Sequence, residues 1–229
     1  MIIVSERRRT GKILALLMLL FCWASFSPPT KADDSDRSLL LSAVAINQNA
    51  NSRSGVGIYL GNGFVLTASH VVGRAVSVTV AGRELPTRIV KKDSFEQSDL
   101  ALLSIDEEQL PIPLRPKEIF LCKTPPTPGQ DVITVVPEEI VHSHILSPVW
   151  LPRDVRKYNT VISDVARTGN SGSGVFDAKE KCLLGIMSRK ITENFRQDHL
   201  GINGSFDVAK YFVPVSVIAE FLPRGVVDR

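Results

Sequence analysis

Gly55-Val56-Gly57-Ile58-Tyr59-Leu60-Gly61-Asn62-Gly63-Phe64-Val65-Leu66-Thr67-Ala68-Ser69-His70-Val71-Val72 is the stretch on which the fold turns. It holds two apolar runs, Gly55 to Leu60 and Phe64 to Thr67. Between them stands Gly61-Asn62-Gly63, whose residue types accept the positive φ angles of a tight hairpin. Apolar runs this short, bounded by turn residues, read as strands rather than helices. The second run delivers a histidine at its end.

The same pattern continues outward. Asp33 to Arg37 reads as a polar linker and Leu39 to Ile46 as a first strand. Val76 to Val80 alternates Val with Ser or Thr at the period of a half-buried strand. Leu85 to Val90 and Leu100 to Ile105 come next. A Pro-rich connector, Pro111 to Pro128, separates these from six further runs: Val132 to Val136, Ile140 to Leu146, Thr160 to Ile162, Gly174 to Phe176, Cys182 to Ser188 and Tyr211 to Val213. Val215 to Leu222 reads as a short closing helix. The predicted fold is all-β, two six-stranded β-barrels at about 39–110 and 129–222 joined by the connector 111–128.

The first 32 residues have the layout of an export signal. Arg7-Arg8-Arg9 and Lys12 precede an apolar run of about 14 residues, Ile13 to Phe26, and Thr30-Lys31-Ala32 puts small residues where cleavage after Ala32 requires them. The run is short of the roughly 20 residues a membrane-spanning helix needs; a retained N-terminal anchor is the alternative. The expected location is periplasmic or secreted, with 33–229 as the mature chain. The formal charge of +3 belongs to this leader. Without its five basic residues and one acid, the 27 basic and 24 acidic side chains become 22 and 23. That balance argues against a nucleic-acid partner. Cys22 leaves with the leader. Cys122 and Cys182 then allow one disulfide, or two buried thiols. With so few cysteines and four histidines at unsuitable spacing, no metal or cofactor is expected.

Three segments carry chemistry. His70 comes just after a strand in Leu66 to Val72, Asp99 opens one in Ser98 to Leu103, and Ser171 sits in Thr168-Gly169-Asn170-Ser171-Gly172-Ser173-Gly174. A serine hydroxyl is a poor nucleophile near neutral pH and needs a base within hydrogen-bond reach. A histidine can be that base, and an acid on its other ring nitrogen fixes its tautomer. Glycines let backbone N–H groups converge where an oxyanion forms. Asp93 and Asp106 are rival acids, and the Leu100 to Leu103 strand selects Asp99; Ser173 is the rival nucleophile. His142 and His144 alternate on one strand and so share a face, where they read as surface histidines. Arg189-Lys190 reads as a solvated strand end that borders the cleft at most.

These segments resemble the trypsin-like, chymotrypsin-fold serine peptidases, in particular the bacterial HtrA-type and glutamyl-endopeptidase branch. Gly55 to Val72 is similar to that family's GSGF…G…LTNNHVV stretch, Ser98 to Leu103 to TDLALL, and Gly169 to Val175 to GNSGGPV or GNSGSPV. The order His, Asp, Ser is the family's, and the likeness spans about Leu40 to Leu222. It implies an endopeptidase acting on protein or peptide substrates, with His70 as general base, Asp99 orienting it and Ser171 forming an acyl-enzyme. The backbone N–H groups of Gly169 and Ser171 would form the oxyanion hole. Met187 and Ser188 would lie on the strand that pairs with substrate. Asn170 replaces an Asp that captures a new N-terminus in animal digestive proteases, which argues against that zymogen mechanism. Gly174 replaces the usual Pro, which would loosen the loop, and Tyr211-Phe212 replace smaller residues, which would narrow the specificity pocket near Val165 and Ala166. No C-terminal PDZ domain, as in the chaperone-like members, is expected. The alternative is a catalytically silent binding or regulatory module on the same fold.

Overall fold

Leu100-Ala101-Leu102-Leu103-Ser104-Ile105 is apolar at both parities because its strand is buried on both faces. Leu100 and Leu102 belong to one hydrophobic cluster, while Ala101, Leu103 and Ile105 belong to another on the strand's opposite side. That double burial organises the molecule. The computed structural model describes residues 34–49, 52–115, 118–137, 139–147, 149, 160–162, 170–197 and 202–227, which lie in one unit beginning at Asp34.

A short helix α1 (Asp34–Leu40) leads into β1 (Ala43–Asn49), β2 (Ser52–Gly61), β3 (Phe64–Ala68), β4 (Ser77–Val80), β5 (Arg83–Lys92) and β6 (Leu100–Ile105). These close into an antiparallel barrel in the order β1-β2-β3-β6-β5-β4. The second set is β7 (Asp131–Val136), β8 (Glu139–Leu146), β9 (Val161–Ile162), β10 (Gly174–Asp177), β11 (Leu183–Gln197) and β12 (Ile202–Pro214), closed as β10-β11-β12-β9-β8-β7. Helix α2 (Val215–Phe221) comes directly after β12. The two six-stranded barrels and the short C-terminal helix are the chymotrypsin-type arrangement expected from the sequence. Among the described residues no helix is long and apolar enough to cross a membrane.

Each barrel fills its own interior and the two share a third cluster. Val44, Ile46, Val65, Val78, Leu85 and Leu103 fill the first, and Val132, Ile145, Ile162, Val175, Leu184 and Phe212 the second. Between them Ile58, Leu66, Leu100 and Leu102 meet Ile133, Val135, Phe176, Ile186 and Val213, with Ile218 and Phe221 of α2 sealing the side. Burying such a side chain stabilises the fold by about 1.5–3 kcal/mol, so this cluster fixes how the barrels sit. Cys122 and Cys182 are joined in a disulfide, with 5.0 Å between their Cα atoms, which staples the connector to the second barrel.

Two sequence readings need correction. The polar linker and the start of the first predicted strand are helix: Asp34 to Leu40 coils, and the strand begins at Ala43. Asp36, nearly buried, holds the helix on the second barrel by accepting from Lys181 Nζ at 2.5 Å and pairing with His142 Nε2 at 3.3 Å. His142 therefore has a structural partner that its place on a surface strand did not suggest. Likewise, Cys182 to Ser188 and Tyr211 to Val213 are only the roots of a longer hairpin, with β11 and β12 paired from Gly185↔Pro214 out to Gln197↔Ile202. Arg189-Lys190 is thus mid-strand, not a strand end.

Candidate active site

Strand register brings His70 and Asp99 together. β3 and β6 are antiparallel neighbours with Thr67 opposite Ala101 and Ala68 opposite Leu100, so the residues just after β3 must face those just before β6. His70 lies in a single 3-10 turn (Ser69–Val71) just after β3. Asp99 adopts φ +55, the left-handed region that costs a non-glycine residue free energy. Strain of this sort persists where surrounding bonds over-determine it. Here the Asp99 backbone accepts from Ser69 N at 2.9 Å and donates to Ser94 O at 3.1 Å.

The carboxylate of Asp99, 2% exposed, is enclosed by donors. His70 Nδ1 lies 2.9 Å from Oδ2 and 3.1 Å from Oδ1. The His70 backbone N–H and Ser69 Oγ also donate to Oδ1, at 3.1 and 3.0 Å. From the other barrel, Ser188 Oγ donates to Oδ2 at 2.5 Å. Burial alone would push this carboxyl upward, but the hydrogen bonds from His70 and Ser188 and the His70 charge outweigh it, holding Asp99 below its ordinary value of 3.8. An ionised acid on Nδ1 leaves Nε2 free to accept a proton. The rival acids are occupied elsewhere: Asp93 accepts from Ser98 Oγ, and Asp106 caps a 3-10 turn through Glu108 N.

Ser171 is delivered by the loop before β10. Gly172, at φ +89, is forced by space as well as by conformation. A Cβ there would lie 1.9 Å from Val56 O and 2.3 Å from Thr67 Oγ1. The loop is pinned on both sides, by Val56 N donating to Ser171 O and Gly172 N donating to Met187 O, each at 2.8 Å. Gly55 is also required, since a Cβ would meet Ser171 O at 2.8 Å. Ser173 is fully buried and its Oγ donates to Asn170 O at 2.7 Å, which makes it a loop fastener. Ser171 Oγ donates at 3.5 Å to Ser188 O; among the described residues it forms no hydrogen bond to the His70 ring. Gly174 is not a loosening: it pairs with Val135 and Ile186 inside β10, and a Cβ would press on Ile58 at 2.6 Å.

His70, Asp99, Ser188 and Ser171 are thus linked in one chain of hydrogen bonds across the two barrels, while the Met187 side chain is buried in the second barrel's interior. Gly169, Val165 and Ala166 lie outside the described residues. The expected narrowing by large side chains needs correction for Phe212, which is wholly buried in the second barrel against Gly185. Tyr211 is buried with Val161 and Ala209. The sequence reading missed Ser188 as a bond to the acid, and Phe95, whose ring stands edge-on to His70 at 5.6 Å. A lone serine or phenylalanine in a strand or loop carries no signal of such a role.

The family model for the trypsin-like peptidase domain matches residues 55–186. No curated protein sequence matches the chain. Among solved structures, a serine endoprotease from Yersinia pestis is 18% identical with a TM-score of 0.60, over 85% of this chain and 66% of that one, so this chain spans just under two thirds of its length. The MamO protease domain from Magnetospirillum magneticum is 20% identical with a TM-score of 0.55, over 81% and 97%. Mouse neuropsin, a serine protease, is 16% identical with a TM-score of 0.56, over 79% and 94%.

Proposed function

This chain belongs to the trypsin-like peptidase family and is by class a serine endopeptidase, a hydrolase; on that premise we propose that it is an exported enzyme cutting peptide bonds through an acyl-enzyme on Ser171. The observation that carries the reading is the His70–Asp99 pair, with Nδ1 held on a buried carboxylate that Ser188 joins to Ser171 through its own hydrogen bonds. His70 takes the Ser171 proton and returns it to the leaving amine, while Asp99 stabilises the imidazolium. The backbone N–H groups of Gly169 and Ser171 receive the oxyanion. Ser188 offers strand backbone to the substrate, while the Met187 backbone holds the serine loop, its N–H on Ser173 O and its carbonyl under Gly172 N. Residues 1–32 direct export and are removed, leaving 33–229 as the peptidase domain in the periplasm or outside the cell; the Cys122–Cys182 disulfide supports an oxidising compartment. Hydrolysis by this route uses no cofactor.

One observation favours a second reading, a silent binding module: Ser171 Oγ bonds the Ser188 carbonyl rather than His70. A fluorophosphonate probe separates the two, because only an activated serine reacts. Labelling of folded 33–229 but not of its Ser171→Ala variant is the expected result; a folded parent that does not label leaves the binding module.

A further inference from the structure

Arg189 stands next to Ser188 on β11 and reaches across the crevice to the first barrel. Its guanidinium carbon lies 3.5 Å from the centre of the Phe95 ring, and Nη2 donates to Phe95 O at 2.5 Å. Phe95 in turn stands edge-on to His70. The rings of Phe95 and Tyr211 flank the cation, the latter at 5.9 Å. Its charge has no carboxylate partner among the described residues, and its Nε–H is buried without an acceptor. A guanidinium is always charged and offers five donors in a planar fork suited to a carboxylate. Among the described residues this cation has one neutral acceptor, Phe95 O, and stands on the ring that touches the proposed base, which makes it a built receptor for an anion.

Strand direction says which part of a substrate it meets. Ser171 touches β11 at Ser188 O, so the substrate residue carrying the attacked carbonyl sits there. A peptide antiparallel to β11 then places its preceding residues beside Arg189 and Lys190. We propose that Arg189 is a specificity-determining residue that selects substrates with Asp or Glu shortly before the scissile bond, the carboxylate drawing the guanidinium from the Phe95 face and pairing with its fork. The inference rests on the endopeptidase reading and names the substrate class of that site.

The test digests a library of denatured proteins with folded 33–229 and reads the four residues before each cut by mass spectrometry. Pairs of C-terminally amidated peptides, Asp against Asn and Glu against Gln at the enriched position, then give the kcat/KM ratio. The expected result is an acidic preference of about ten-fold in the parent, absent in Arg189→Gln and reversed toward Lys or Arg in Arg189→Glu. The ratio is taken within each variant, so a general loss of rate does not imitate it. A parent that cuts and labels with fluorophosphonate but shows no acidic preference overturns the inference and leaves the triad standing, as does a preference unchanged in both variants. A folded parent that neither cuts nor labels overturns this inference together with the endopeptidase reading.

Discussion

The two barrels furnish the crevice in different ways. The first supplies His70 and Asp99 as a finished pair, the carboxylate taking donors from Ser69, from the ring and backbone of His70, and from Ser188 across the interface. The second supplies Ser171 on a loop whose backbone is fixed but whose hydroxyl makes one long bond, at 3.5 Å, to Ser188 O. The proposed acid–base half is thus preorganised by register and burial, and the proposed nucleophile half by loop anchoring. Ser188 belongs to both, one group on the acid and one facing the nucleophile, so it reports whether the barrels are docked.

That contrast can be broken at several points. The largest effect belongs to Gly172→Ala. With backbone at 1.9 Å from the new Cβ and a left-handed φ, the loop cannot stay where it is. Overpacking of this kind costs about 1–3 kcal/mol or more, and unfavourable φ about 1–2 kcal/mol further. Thermal unfolding is expected to shift strongly downward and probe labelling to vanish. Next, Asp99→Asn should lower kcat by about 10⁴, since an amide holds the wrong tautomer, while leaving the fold intact in circular dichroism. Reducing the Cys122–Cys182 bond, which closes a separation of 60 residues, should cost about 3–4 kcal/mol in urea unfolding.

The smallest effect sharpens the comparison most. Ser188→Ala removes one donor to Asp99 and should destabilise the protein by about 1.5–3 kcal/mol. Because the folded carboxyl is held below 3.8, its contribution is fully present above that ordinary value and fades as pH falls through the folded one. The gap between parent and Ser188→Ala in urea unfolding should therefore be constant at neutral pH and shrink in the most acidic range. A gap independent of pH would mean that Ser188 acts by packing and not through the carboxylate.

How much could be read in advance depends on where the information lies. Leu100 to Ile105 and the Gly61-Asn62-Gly63 turn are local signals, and they predict β6 and the β2–β3 hairpin closely; Gly61, Asn62 and Gly63 all take positive φ. The outer part of the β11–β12 hairpin escaped because Ile191 to Gln197 has mixed polarity without a period-two pattern, and its strand is seen only in its pairing with β12. Helix α1 escaped because Asp33 to Arg37 reads as a polar linker and Leu39 as the start of a strand, whereas the helix is held down by Asp36 on Lys181, 145 residues away. In the site, the residues of the three motifs carry a local sequence signal, while Ser188 and Phe95 acquire their places only when the two barrels dock. Arg189 looked like a strand end for the same reason.

The central claim is that His70 and Ser171 act as one unit across the barrel interface. Hydrolysis of a denatured protein by the parent, Ser171→Ala, His70→Ala and the double variant tests it most directly. Each single change should lower the rate by a factor on the order of 10⁶, and the double variant should be no slower than either. A double variant whose loss is the product of the two single losses, or a folded parent with no hydrolysis, would contradict the account.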